Sequence, residues 1–347
     1  MNIEIRKVEK EELLGDLYQT YRILAIRDFA DMYPEESTLN DEIIRTRLEN
    51  KNYDESNYFA FLDGQMIGYS DISRPSRSNP AYEQNKNRIG FWAFILPEYR
   101  KQGLGVKLLT MALEDPLREY IQRLRTSAYS ADGRRFVESL GGKVVEKSST
   151  RELLVKDIDW ELVESWKNMS FSPDKKPVIE FHSKIDWQIV EQFLDLSFEI
   201  NLELSQMDNR EFIHTRESEE HDWKEMLEYW GKTGFENECF ILKDSAGSTI
   251  GYTMCIFSSR DPDTVGQSMT AVWKHLRGNG YGQLLKALML ENIRTNHPQI
   301  VKINTSNNDL NDPMVGINRK LGFVEKSLWC SYIVDYSEAI EKLRSKK

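Results

Sequence analysis

Two stretches about half the chain apart carry the same device, and that repetition narrows the possible folds more than any other feature. Thr270 to Ile293 reads TAVWKHLRGNGYGQLLKALMLENI, and Ala93 to Leu113 reads AFILPEYRKQGLGVKLLTMAL. Each begins as a strand end, passes through a glycine turn and continues as a helix with apolar residues at helical spacing. Arg100, Gly103 and Gly105 match Arg277, Gly280 and Gly282, and Leu108 and Leu113 match Leu285 and Leu290. Glycines in such a turn leave backbone N–H groups free of side-chain cover. The first N–H groups of the following helix lack intrahelical acceptors and sit at the positive end of its dipole, so the turn is a ready anion cradle. Arg277 adds a cation beside it.

The flanking pattern repeats as well. Ile3 to Val8 reads as a strand, followed by helices through Leu13 to Leu24 and Glu42 to Leu48. A hairpin turns at Asp63-Gly64, and the strand Arg88 to Ile95 enters the first glycine turn. A strand follows over Arg123 to Tyr129, then a helix closed by Gly141-Gly142 and returning strands from Lys143. The second half runs Val178 to His182, Trp187 to Phe198, a hairpin at Ala246-Gly247, the second glycine turn, the strand Val301 to Thr305 and a helix ending at Leu321-Gly322-Phe323. Ile67-Gly68-Tyr69 is echoed by Ile250-Gly251-Tyr252. Repetition over half the length means duplication rather than a solenoid. The expected fold is α/β (α+β), with two domains that are each a mixed central sheet flanked by helices. The expected boundaries are 1–157, a linker over 158–177 with the composition SFSPDKKP near its end, and 178–347.

Composition limits the function. The formal net charge is −10, against a nucleic-acid partner that needs a basic surface. No apolar run reaches membrane-span length, and MNIEIRKVEKEEL lacks a signal region. Cys239, Cys255 and Cys330 are too few and too odd a set for a disulfide framework, which favours a cytoplasmic location. His214 and His221 flank an acidic run that reads as an exposed helix or loop rather than a metal site. Glu217 or Asp222 there is a lesser candidate for meeting a cationic amine. The spacing of Gly278, Gly280 and Gly282 is not the dinucleotide Gly-x-Gly-x-x-Gly, and no Gly-Lys-Ser/Thr closes a nucleotide-triphosphate loop.

With the turn and its flanks in place twice, and the Leu-Gly-Phe ending of the second copy answered by Leu140-Gly141-Gly142 in the first, the chain resembles the GCN5-related N-acetyltransferases (GNAT). Its tandem layout is similar to that of mycothiol synthase and its relatives. The resemblance implies acetyl-CoA as donor and a small-molecule amine as acceptor, attacking directly without a protein nucleophile. It implies pyrophosphate contacts from Arg277, Gly278, Asn279, Gly280, Tyr281 and Gly282, and in the first copy from Arg100, Lys101, Gln102, Gly103, Leu104 and Gly105. The pantetheine arm is expected along the strands ending at Val272 and Ile95, with an N–H of Ala271 or Val272 polarising the thioester carbonyl. Thr305, Asn308 and Asn311 are further cofactor candidates, although Asn311 is equally suited to cap the helix begun by Asp312-Pro313.

One departure concerns the proton donor. The family commonly has a tyrosine where this chain has Asn318, and an amide cannot protonate a thiolate. In the first half Ser130 stands opposite Asn311 and Val137 opposite Asn318. The sequence therefore favours the second half for catalysis, with the first kept for cofactor retention or structure. The alternative is a catalytically silent CoA-binding or partner-binding protein. A monomer is expected.

Overall fold

The structure is a computed structural model describing residues 3–32, 41–207 and 213–346. In chain order its elements are β1 (Ile3–Val8), α1 (Lys10–Leu14), α2 (Tyr18–Met32), α3 (Asp41–Glu49), β2 (Tyr53–Leu62), β3 (Gln65–Pro75), α4 (Tyr82–Asn85), β4 (Arg88–Ile95), α5 (Leu104–Leu113), β5 (Arg123–Ala128), α6 (Ala131–Ser139) and β6 (Lys143–Leu154). The second half continues with α7 (Trp160–Lys167), β7 (Val178–His182), α8 (Trp187–Met207), α9 (Arg216–Thr233), β8 (Phe235–Lys243), β9 (Thr249–Ser258), β10 (Thr264–Val272), α10 (Tyr281–Asn296), β11 (Lys302–Asn308), α11 (Asp312–Lys320), β12 (Val324–Asp335) and α12 (Tyr336–Ser345). The mixed sheets flanked by helices are those the sequence implied.

The compact units do not coincide with the sequence halves. The first unit takes the chain up to Lys147 and resumes at Trp329, while the second runs from Ser148 to Leu328 apart from the stretch ending at Ile213. In the first unit the strand order is β1-β2-β3-β4-β5-β12, and in the second it is β6-β11-β10-β9-β8-β7. The closing strand of each therefore comes from the other half of the sequence. Cys330 to Asp335 pair antiparallel with Ala128 to Arg123, and Ser148 to Leu154 pair antiparallel with Asn308 to Lys302. Side chains lock both pairings. Arg123 donates to Asp335 at 2.7 Å, and the buried Arg151 pairs with Asp309 at 3.0 Å. The stretch expected as a linker from 158 is also part of the second unit, since Ile158, Val163 and Trp166 are buried in its core.

Both glycine-turn helices are amphipathic as the spacing predicts. Leu108 and Leu113 of α5, and Leu285 and Leu290 of α10, are all fully buried. Each central sheet contains one parallel pair, and each such pair is short. β4 pairs with β5 only from Arg88↔Arg123 to Gly90↔Arg125, and β10 with β11 only from Thr264↔Lys302 to Gly266↔Asn304. Beyond these points the strands diverge while β4 and β10 stay paired with β3 and β9. The divergence leaves backbone N–H and C=O groups facing a cleft in each unit, and such groups need partners.

Candidate active sites

The divergence opens a cavity of about 440 Å³ in the first unit and about 450 Å³ in the second. At the mouth of each lies the glycine turn. Gly103 (φ +78°) and Gly280 (φ +89°) are the left-handed residues that start α5 and α10, and neither helix has a side-chain cap. The first-turn N–H groups are thus available to an anion. Lys101 holds φ +61° where the second copy has Gly278 at +81°. An L-residue there costs roughly 1–2 kcal/mol, so the first turn keeps its shape against its sequence.

The turn arginines act on backbone. Arg100 Nε donates to Ile95 O at 2.8 Å, and Arg277 Nε to Val272 O at 3.1 Å, while Arg277 also pairs with Glu203 at 2.6 Å. They tie the strand end to the turn, a more definite role than a loose cation. The neighbouring strands approach closely at the echoed glycines. A Cβ on Gly68 would meet Phe94 O at 2.7 Å, and one on Gly251 would meet Ala271 O at 2.5 Å.

Register decides which amide faces the cleft. Trp273 N donates to Ile250 O, and Leu96 N to Ile67 O. Antiparallel ladders alternate, so Ala271 and Phe94 also bond to their neighbours β9 and β3. Val272, Thr270, Ile95 and Ala93 then turn their N–H groups toward the cleft. The expectation for Ala271 is corrected on this ground, because its amide is engaged with Tyr252 across the β9–β10 ladder.

Of the residues singled out from the sequence, Ile95, Arg100, Lys101, Gly103, Leu104 and Gly105 line the first cavity, and Gln102 does not. Ala271, Val272, Arg277, Gly278, Gly280, Tyr281, Gly282 and Asn311 line the second; Asn279, Thr305, Asn308 and Asn318 do not. Asn311 caps α11, accepting from Met314 N, and Ser130 caps α6 in the same way, accepting from Gly133 N at 3.0 Å. Asn308 shapes the preceding turn by accepting from Leu310 N at 2.8 Å. Thr305 is buried opposite Arg151 in the β6–β11 ladder. Asn318 is fully buried with its Nδ2 on Asn307 Oδ1 at 2.6 Å, and it has no face on the cavity.

The chain before β7 braces the second turn. Met169 Sδ lies 3.0 Å from where a Gly280 Cβ would stand, and Phe171 stacks on Tyr281 with centroids 5.3 Å apart. Tyr281 Oη donates to Lys175 O at 2.7 Å, and Lys175 Nζ donates to Asn279 Oδ1 at 3.1 Å. Tyr281 is consequently buried. No atom lies within 4 Å of the corresponding Cβ positions at Gly103 or Gly105.

The inner ends of the cavities differ in chemistry. Asp28 of α2 lines the first cavity, is buried, and accepts from Tyr69 Oη and from Trp92 Nε1 at 2.8 Å. Nearby Asp71 has its carboxyl pushed up to about 8 by burial and by the charges of Glu55 and Asp28. Tyr21 packs on Tyr69 as Phe193 packs on Tyr252, which sets α2 and α8 in register. Asp28 and Met32 then correspond to Ile200 and Leu204, and these line the second cavity. β10 carries one extra residue between Gln267 and Thr270, so Trp92 corresponds to Met269. The sequence concealed Asp28, one of two acids within a fifteen-residue helix of mixed composition.

The histidine-flanked acidic stretch forms α9 and is not wholly exposed. Glu219 is buried and bonded to His214 at 2.5 Å and to Asn201 at 3.0 Å, a closed structural network. Among the described residues no His/Cys/Asp/Glu group is arranged to hold a metal ion, and no helix is long and apolar enough to cross a membrane.

Diverging parallel strands with an uncapped glycine-turn helix at the mouth define an acyl-CoA acyltransferase type of fold, present twice. Residues 19–141 match the model of the acetyltransferase (GNAT) family. No curated protein matches the chain. Among solved structures, a tandem GNAT protein from the clavulanic acid biosynthesis pathway is similar at TM-score 0.71 and 16% identity, over 96% of this chain and 99% of that one. A GCN5-related N-acetyltransferase from Sphaerobacter thermophilus is similar at TM-score 0.56 and 13% identity, over 96% of each chain. At these identities the likeness speaks for the fold. The chain has the fold of tandem GNAT proteins, and part of its first half matches the family model.

Proposed function

We propose that the protein is an acetyl-CoA-dependent N-acetyltransferase acting on the amine of a small molecule, with the first unit as its catalytic half. The observation that carries this reading is the pairing of an open glycine turn with a carboxylate, Asp28, in one cavity. The sequence favoured the second half, but there the residue corresponding to Asp28 is Ile200, and the family match lies within the first half.

The residues of the first cavity suit the donor. Gly105 offers space and an N–H at the helix start, where a Cβ or a carboxylate would compete with phosphate. Ala93 and Ile95 present cleft-facing N–H groups to which an extended amide arm can pair as an added strand. When bound, acetyl-CoA supplies the activated acetyl thioester. Asp28 favours a cationic amine at the inner end and orients it, and proximity of two held reactants supplies much of the rate. Asn318 has no part in this scheme. Three free, buried cysteines fit a reducing cytoplasm, and a monomer is proposed.

Thiol release from acetyl-CoA over a panel of small amines tests the proposal. Gly105 and Gly282 both lack positive φ and close backbone neighbours, so glutamate is tolerated sterically at each. Gly105→Glu is expected to abolish turnover and Gly282→Glu to preserve it. The opposite pattern would assign the chemistry to the second unit, and absence of turnover on every amine would leave only the silent CoA-binding reading.

A further inference from the structure

The second cavity keeps the cradle of the first but replaces the polar groups at its inner end. Asp28 becomes Ile200, Trp92 becomes Met269, and Met32 becomes Leu204, each pair lining its own cavity. Asp71, behind the first cavity, corresponds to Met254, which is buried beside Tyr252 in the second unit's core. Two acids line the second cavity elsewhere: Glu203, bonded to Arg277 at 2.6 Å and so tied to the turn, and Asp312, in the first turn of α11. Two consequences follow from these exchanges. No carboxylate stands in the place of Asp28, and a large rigid indole has been replaced by a flexible thioether that can move aside.

We propose that the second unit binds an acyl-CoA whose acyl group is an apolar chain longer than acetyl, seated among Ile200, Leu204 and Met269. The inference rests on the acyltransferase reading of the fold, because the CoA portion is assigned to the cradle at Gly278, Gly280 and Gly282. The turn is prepared for it. Met169, Phe171 and Lys175 hold its outer side, and Val272 and Thr270 present cleft-facing amides along the path from turn to apolar end. The extra residue between Gln267 and Thr270 moves Met269 into the place of Trp92. Without an amine-directing carboxylate the occupant is held and not consumed, so the unit acts as a binding site for the longer acyl-CoA.

Calorimetric titration of the full-length Gly105→Glu chain, whose first cradle is blocked, separates the two sites. Hexanoyl-CoA is expected to bind with one equivalent per chain and at least tenfold more tightly than acetyl-CoA, since each buried methylene contributes roughly fourfold. Adding Met269→Trp, or Ile200→Asp in a separate chain, is expected to remove the preference while acetyl-CoA binding persists. Persistence of acetyl-CoA binding also shows that these chains are folded. Equal affinity for the two thioesters in Gly105→Glu, or binding of neither while unblocked protein still turns over acetyl-CoA, would overturn the acyl-chain site alone. Failure of wild-type protein to bind any CoA thioester would instead overturn the acyltransferase reading on which it rests.

Discussion

Lys286 sits on the buried face of α10, 1% exposed, with Nζ donating to Gln267 Oε1 at 2.8 Å and the Phe323 ring 5.7 Å away. Burial pushes its ammonium down from 10.5 to about 7. At 1.36 kcal/mol per pH unit, that depression corresponds to about 4–5 kcal/mol between the fully protonated and fully neutral limits. The sign follows from proton binding. Between about pH 7 and 10.5 the unfolded chain holds a proton at this lysine that the folded chain has released, so stability rises with pH across that window. Below pH 7 both states are protonated and the full cost of burying the charge is present. Lys286→Met removes the titrating group. Gln267 then loses its partner, at a cost of about 1–3 kcal/mol, so Lys286→Met with Gln267→Leu is the cleaner perturbation. Urea unfolding of both proteins from pH 7 to 9.5 is the assay. The double variant should be the more stable at pH 7, and the difference should shrink steadily toward pH 9.5. A difference that stays constant with pH, or a variant less stable at every pH, would refute the argument.

Further predictions follow from individual contacts. Gly251→Ala places a methyl 2.5 Å from Ala271 O, so it should destabilise the protein by about 2 kcal/mol or more, read as a lowered urea midpoint. Asp28→Ile should lower kcat/KM for cationic amines at least tenfold while leaving acetyl-CoA affinity unchanged, and Asp28→Asn should fall between. Asp71, with its folded carboxyl raised to about 8, favours the folded state below about pH 4 and loses that contribution as pH rises through 8. Asp71→Asn should therefore flatten the decline in stability between pH 4 and 8 by thermal melts. Phe171→Ala removes the ring stacked on Tyr281 and should speed tryptic cleavage after Lys175 several-fold, with no change at other sites.

Local patterns made much of this fold legible. The hairpins at Asp63-Gly64 and Ala246-Gly247, the two glycine turns and the buried stripe Leu284, Leu285, Met289 are set by neighbours in sequence, and they stand where the spacing put them. The strand exchange was not legible, because nothing in Ser148 to Leu154 names Asn308 to Lys302 as its partner. The same limit hid the phase of β10. Whether Ala271 or Val272 faces the cleft depends on which pairs of the ladder are hydrogen-bonded, and alternation alone does not reveal it. Nothing in the sequence marked Lys286 as buried, and Glu219 read as part of an exposed acidic run, since charged residues are rarely buried without partners that only the fold supplies. Asp28 was invisible for the related reason that Tyr69 and Trp92, which hold it, lie far along the chain.

Calorimetric titration of wild-type protein, Gly105→Glu and Asp28→Ile with acetyl-CoA, run beside thiol-release assays on the same preparations, tests the central claim most directly. The account predicts that Gly105→Glu loses both turnover and the binding event tied to it, whereas Asp28→Ile keeps binding and loses turnover with cationic amines. Turnover surviving in Gly105→Glu would contradict the assignment of catalysis to the first unit.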